Sequence, residues 1–279
     1  MIGWRRYAKV ITGGVIVLML CICGLGAPLL APFDPQEQAL EQRLRPPSMD
    51  LAENPHLMGT DNLGRDLLSR VIYGSRISLM VGAATVFLAG LLGCFLGAVA
   101  GYFGEMIDEV INKTTEIFLA FPFLLLAIAI MAFLGQGLVN LIIALVLSRW
   151  VQYCRVVRGE VLSLKQREFV QAARALGASS PYIILRHVIP NTLPSVMVIA
   201  TFAMAIVIIT EASLSFLGLG VPPSIPTWGS MLSEGRSYMY RAPWLTIFPG
   251  IAIFITVLGI NLLGDGLRDI IDPKLTRNR

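Results

Sequence analysis

The sequence predicts an all-α polytopic membrane protein with six transmembrane helices and both chain ends on the cytoplasmic side. Three observations lead there. Of the 279 residues 55% are hydrophobic and only 14% are charged, and mean hydropathy is +0.71; an average soluble domain is about one quarter charged. The apolar residues are gathered into charge-free blocks rather than spread along the chain. Lys and Arg are distributed unevenly among the segments that join the blocks. This composition excludes a disordered chain and argues against a water-soluble enzyme.

A crossing helix needs about 20 predominantly apolar residues. Lipid offers the backbone no hydrogen-bond partner, so helices are the form such runs take. No charge separates Lys9 from Asp34, which places the first span at 10–31. That run is too long for a signal-peptide core and reads as a retained anchor. The gap between Arg76 and Glu105 gives the second span, 77–101. The run from Glu116 to Arg149 is too long for one helix and breaks at Gly135-Gln136-Gly137, giving spans at 115–134 and 138–158. The last two spans fall at 192–216 and 243–264. Residues 1–76 thus form an anchor with an outer segment. Residues 77–279 form a core of five spans carrying a cytoplasmic loop at about 159–191.

Orientation follows from the basic residues, which favour the cytoplasmic side. With the N-terminus inside, Arg43, Arg45, Arg65, Arg70, Arg76, Arg236 and Arg241 lie outside, Arg149 lies in a span, and the other fourteen of the 22 Lys and Arg lie inside. Arg5, Arg6 and Lys9 begin the inner set and Arg268, Lys274, Arg277 and Arg279 end it. The net charge of +4 therefore reflects topology, and nucleic-acid binding is not implied. Trp228, Tyr238, Tyr240 and Trp244 are expected in an aromatic belt at the outer interface. Cys21, Cys23, Cys94 and Cys154 all fall within spans and read as small packing residues.

Self-contained catalysis finds no support. The chain has no GxxxxGK[ST], no CxxC and no G-x-S-x-G, and His56 and His187 fall on opposite sides of the membrane. Catalytic and metal sites are therefore expected to be absent. Two transport classes remain: a subunit of an ATP-driven importer, and an ion-coupled secondary transporter or channel. The second usually shows matched broken helices and midplane carboxylates, whereas the ionisable residues within these spans are Arg149 and Glu211.

The long inner loop separates the two classes. Phe169 to Leu176 is rich in Ala and forms helix readily. Gly177 suits a left-handed stop. Ser180 suits an N-cap with Pro181 in the first turn, and Pro190 is expected to end the second helix. A helix–turn–helix results, either lying on its own bundle or offering its small side chains to another protein.

This stretch resembles the EAA loop of ABC importer permeases, E-A-A-x3-G-x9-I-x-L-P. Gln171-Ala172-Ala173 stand first, Gly177 follows after three residues, and His187-x-Ile189-Pro190 after nine more. Gln171 departs from the acid and His187 from the aliphatic residue; the lost carboxylate removes one expected salt bridge to an ATPase. Further stretches are similar to the C-type subunit of the dipeptide/oligopeptide/nickel permease family: His56 to Asp66, Ala120-Phe121-Pro122, Ser215 to Gly220, Pro226-x-Trp228-Gly229, and Asn261 to Asp269.

The resemblance implies a type I ABC importer permease-like fold that forms half of a translocation path. The other half is a second, homologous permease chain. Two ATPase subunits bind ATP and Mg²⁺, and this chain itself carries no cofactor. An extracytoplasmic solute-binding protein delivers cargo: di- or oligopeptides first, with glutathione and nickel as the family's alternatives. Coupling to the ATPase falls to Gln171, Ala172, Ala173 and Gly177, with Arg174 and Arg186 as polar contacts. The location implied is a bacterial inner membrane.

Four further expectations concern the spans. Gly93, Gly97 and Gly101 recur every four residues and permit close helix packing, within the bundle or against the partner permease. Arg149 lies about 11 residues, roughly 16 Å, into its span. It either lines the path and meets a substrate carboxylate or snorkels to the inner headgroups. Glu211 pairs with a base, lines the outer gate, or reaches interfacial water. In the outer segment, Leu63, Leu67, Leu68, Val71 and Ile72 share one helical face, capped by Asp61 or Asn62. This is either an interfacial helix or, with 218–241, a landing surface for the binding protein.

Overall fold

A computed structural model describes residues 2–50 and 54–271. Helix α1 (Ile2–Leu25) is followed by a short α2 (Ala27–Leu30), and an irregular outer segment then leads to α3 (Leu67–Phe103). Helices α4 (Glu105–Leu119), α5 (Phe123–Leu134) and α6 (Leu138–Leu164) follow. A hairpin of α7 (Glu168–Ala175) and α8 (Ser180–Ile183) passes through a π-helical turn, Ile184–Val188, into α9 (Ile189–Phe216). Helices α10 (Trp228–Arg236) and α11 (Trp244–Ile271) complete the described residues. Among the described residues there is no strand, only an isolated bridge between Thr60 and Asp66.

Five helices are long and apolar enough to cross a membrane, and the bent pair α4–α5 brings the number to six if it is one span. That pair corrects the expected continuous helix over 115–134. The chain turns by 89° between α4 and α5. Pro122 carries no N–H and disfavours helical geometry in Phe121, so α5 starts afresh after Pro122. Its 12 residues span about 18 Å, well short of the hydrocarbon core. The charges expected in an inner loop, Glu105 to Lys113, are instead part of α4.

Pro190 was expected to end a helix and does not. Ser180–Phe216 forms one run of helix. The turn over Ile184–Val188 is widened, and the Ile189 N–H donates to the Ile184 carbonyl, five residues back. A π turn enlarges the helix locally, relieving the clash that a proline ring makes with the carbonyl four residues earlier.

The boundary at 76/77 falls inside α3, and α6 extends through 159–164, so the inner hairpin is shorter than 159–191. The outer helix also starts later than expected. Asp66, not Asp61 or Asn62, is its N-cap and accepts from Ser69 N at 2.7 Å. Residues 67–73 are the first turns of the second span rather than a separate interfacial helix.

The bundle core gathers Val81, Met131, Leu141, Leu145, Val207 and Leu214 from α3, α5, α6 and α9. Helix α3 packs on α6 through the glycine stripe. A methyl group at Gly93 would meet the backbone of Trp150 and Cys154, one at Gly97 that of Cys154 and Arg158, and one at Gly101 the side chain of Val161. The stripe therefore faces this chain's own α6.

Near the start of α1, Lys9 pairs with Asp269 near the end of α11 at 3.1 Å. The end of α1 meets the start of α3, where Gly24 lies against Ser75 and Arg76. The end of α3 therefore returns to the Lys9–Asp269 side, which also carries the hairpin. Lys274, Arg277 and Arg279, counted above for orientation, lie outside the described residues.

Replacing Gly97 with Leu should lower the thermal stability of the purified protein sharply, as forced overpacking costs about 1–3 kcal/mol or more. Gly97→Ala should cost less. Melting curves in mild detergent check this, and a Leu variant that melts with the wild type would contradict the packing.

Candidate functional site

Three polar constellations lie along the long axis of the bundle. The first is the hairpin. Gly177 adopts φ +83° and closes α7: its N–H donates to the Arg174 carbonyl at 3.0 Å, and Ala178 N donates to the Ala173 carbonyl at 3.1 Å. This paired pattern is the Schellman motif, whose left-handed position favours glycine. Ser179 rather than Ser180 occupies the N-cap position of the second helix, without a side-chain cap bond, and Pro181 lies in its first turn as expected. Buried Val170, Ile183, Ile184 and Val188 seat the hairpin on Tyr102 of α3 and on Val157 and Val161 of α6. The opposite face is bare: Leu176 is 88% exposed and Leu185 67%, with Tyr182 also exposed.

The predicted coupling residues divide over these two faces. Ala172, Gly177 and Arg186 are exposed, while Ala173 packs partly against the seat. Gln171 is exposed and its amide donates to the Gln166 carbonyl at 3.2 Å, so it already holds an intrachain bond. The Arg174 guanidinium sits 5.4 Å from the centre of the Tyr102 ring, a cation–π contact that ties α7 to α3.

The second constellation surrounds Arg149, midway along α6. Its guanidinium lies 3.6 Å from the centre of the Phe123 ring, at the first residue of α5. A cavity of about 450 Å³ opens there, lined by Leu119, Phe123, Ser148, Arg149, Gln152 and Arg155 among others. Arg149 therefore points to the elbow of the broken span. Glu211 is elsewhere. It is 0% exposed, accepts from Ser215 Oγ at 2.9 Å and Ser78 Oγ at 3.2 Å, and has Thr227 beside it. Among the described residues no base pairs with it. Its surroundings are a hydroxyl cradle linking α3, α9 and the start of α10. A buried carboxyl group needs such donors, and a single sequence does not say which distant hydroxyls will supply them.

The third constellation lies at the outer end, and sequence reasoning missed its core. Asp61 Oδ1 accepts from Leu63 N at 2.8 Å and Arg65 N at 2.9 Å, shaping the loop before α3. Arg65 Nε donates to Asp61 Oδ2 at 2.6 Å, and Arg65 Nη2 donates to Glu234 Oε2 at 2.7 Å. Arg70, 1% exposed, reaches both Glu234 oxygens at 3.2 Å and lies 3.4 Å from Asp61 Oδ2. Alongside, His56 Nδ1 lies 2.9 Å from Asp66 Oδ1, and its Nε2 lies 2.8 Å from Gln42 Oε1. The available signal was the crowding of Asp61, Arg65, Asp66 and Arg70 in ten residues; nothing local pointed to Glu234.

Of the four aromatic residues expected in an outer belt, Trp228 alone is buried, while Tyr240 is exposed. Trp228 is 1% exposed and donates to the Val71 carbonyl at 3.0 Å, so it pins α10 to α3. Trp244 Nε1 donates to the Thr60 carbonyl at 3.3 Å.

The spans, the seated inner hairpin and the broken third span define an integral membrane transport subunit. The family described as "Binding-protein-dependent transport system inner membrane component" matches residues 93–277, and the chain belongs to it. It is 42% identical over 275 residues to a glutathione transport system permease protein, GsiD, of Pectobacterium atrosepticum, covering 98% of this chain and 90% of that one. It is 43% identical over 279 residues to a dipeptide transport system permease protein, DppC, of Alkalihalophilus pseudofirmus, with the same coverage of each. The fold is similar to the crystal structure of the inward-facing MetNI methionine ABC transporter, with TM-score 0.59, 20% identity, and coverage of 74% of this chain and 98% of that chain. The chain is thus a multi-pass permease subunit of the bacterial inner membrane, and an ion-coupled secondary transporter or channel is set aside.

Breaking the outer cluster should be costly. Glu234→Met leaves two buried guanidinium groups short of an acid, and about 3 kcal/mol of stability should be lost. Glu234→Met with Arg70→Met should cost less than the two single changes summed, because the charge left behind is also removed. Melting curves of the four proteins in one detergent measure the coupling, and strict additivity would show that the pair does not interact.

Proposed function

We propose that this chain is one of two permease subunits of an ATP-driven importer of short peptides, and that the α7–α8 hairpin is its contact with an ATPase. A homologous sister permease forms the other half of the path. Two ATPase subunits supply the ATP and Mg²⁺ sites, and a soluble binding protein delivers cargo from outside. The dipeptide and glutathione transport names of its relatives support a small peptide as cargo.

The observation that carries the reading is the two-faced hairpin. One face is seated on α3 and α6 by buried aliphatic residues. The other offers Leu176, Tyr182 and Leu185 to solvent at the inner end of the bundle. Large apolar side chains clustered on one exposed surface mark an interaction site, and the small residues Ala172 and Gly177 beside them let a partner approach closely. Force on such a hairpin passes into α3 through Val170 and Arg174, and into α9 through the continuous run beyond Ile183.

Gly177 tests the dock. A side chain there meets open space but an unfavourable backbone conformation, about 1–2 kcal/mol for a left-handed residue. Gly177→Val should reshape the turn while leaving membrane insertion intact, and Gly177→Asp should do so with an added charge. Co-expression with the candidate ATPases and sister permease, then co-purification in mild detergent, should recover less ATPase with either variant and show reduced uptake. Normal recovery and uptake with both variants would remove the hairpin as the coupling contact.

A further inference from the structure

We propose that the groove between the α4–α5 elbow and α6 is a carboxylate-recognition subsite of the translocation path, with Arg149 as its principal contact. The inference rests on the peptide-importer reading and names the group of the cargo that this chain reads.

Four observations converge on the groove. First, it is strongly cationic. Arg149 and Arg155 line the cavity of about 450 Å³, and Arg155 continues with Arg158 into an adjoining cavity of about 520 Å³. The two share Leu119 and Arg155, so they form one groove running from the middle of α6 towards its inner end. Second, the upper charges are unpaired. Arg158 is held by Asp108, with Nη2 donating to Oδ2 at 2.6 Å. Among the described residues neither Arg149 nor Arg155 forms an ion pair, and Arg149 Nε is buried without a hydrogen-bond partner. Glu116, the acid in the lower cavity, accepts from Asn112 at 3.2 Å.

Third, the groove cannot face lipid. Gln152 and Arg155 are exposed on this side of α6. A stripe of Arg149, Gln152 and Arg155 at three-residue spacing is stable in a membrane only against water or protein. Fourth, Phe123, the first residue of α5, lines the same cavity. The first turn of a helix has N–H groups without intrahelical acceptors, and a helix that restarts inside a transporter favours anionic groups there.

The chemistry selects a planar carboxylate. A guanidinium offers two parallel donors that match its two oxygens. Phe123 supports the face of the guanidinium, and Gln152 adds a neutral hydrogen-bond donor on the same wall. Every peptide with a free C-terminus carries such a carboxylate.

The test reconstitutes the full complex, with sister permease, ATPases and binding protein, into proteoliposomes. Uptake of a dipeptide with a free C-terminus is compared with uptake of its C-terminal amide. The binding protein is the same in every arm, so a changed acid-to-amide ratio belongs to the permease. Arg149→Gln should lower that ratio about tenfold, the scale of one charge-assisted hydrogen bond, with ATP hydrolysis retained. Arg149→Lys should keep part of the preference, having charge without the fork. If the Gln variant does not assemble, the Lys variant carries the test, and a wild-type ratio in it overturns the proposal. An Arg149→Gln protein that loses acid and amide uptake by the same factor also overturns it, and marks Arg149 as a partner for an acid of the sister chain. A wild-type complex that hydrolyses ATP yet imports neither probe overturns the peptide reading and the subsite with it.

Discussion

The close approach of α3 and α6 fixes the position of two of the three polar constellations, the hairpin and the Arg149 groove. Lipid supplies no hydrophobic drive for helix association, so two spans hold together by packing at short range. Three glycines at four-residue spacing remove the side chains that would keep the helices apart, and the carbonyls of α6 occupy the space. With α6 so placed, Arg149 lies against Phe123 at the elbow between α4 and α5. Once the inner ends of both helices are fixed, Tyr102, Val157 and Val161 form the seat for the hairpin. A bulky residue in the stripe would therefore disturb residues far from it.

Helix α3 then links the two faces of the membrane. Its 37 residues make a rod of about 55 Å, longer than the hydrocarbon core. The outer end is gripped by Arg70 in the ionic cluster and by Trp228 on the Val71 carbonyl. The inner end is gripped by the hairpin through Val170 and by Arg174 on the Tyr102 ring. The cluster joins the loop before α3 to α10 through Arg65 and Arg70.

The sequence made the spans legible because charge-free length is a one-dimensional property. Breaks within them were less legible. Ala120-Phe121-Pro122 looked like part of one span because apolar runs flank it on both sides, yet proline geometry turns the chain by 89°. At Pro190 the same residue type did the opposite: a π turn absorbed its ring and the helix continued. Whether a proline ends, bends or merely widens a helix depends on what packs around it. The hairpin was readable because its cause is local, a glycine whose left-handed conformation closes α7. Glu234 was not readable, since its partners lie 164 and 169 positions away.

Glu211 and Arg149 show why burial of a charged residue does not by itself identify a path. Both sit in spans, and both looked alike as isolated ionisable residues in apolar sequence. Glu211 is enclosed on every side, with Ser78 and Ser215 donating to its two oxygens, so its polar demand is met inside the chain. Small hydroxyl residues at α3 and α9 exist in that register to meet it. Arg149 has an aromatic face beneath it and a cavity in front of it, and its buried Nε is left without an acceptor. In a low-dielectric setting an unmet donor is costly. The distinction between the two residues is therefore one of satisfaction rather than depth: the carboxyl group of Glu211 meets hydroxyl donors of its own fold, whereas among the described residues Arg149 Nε has no hydrogen-bond partner.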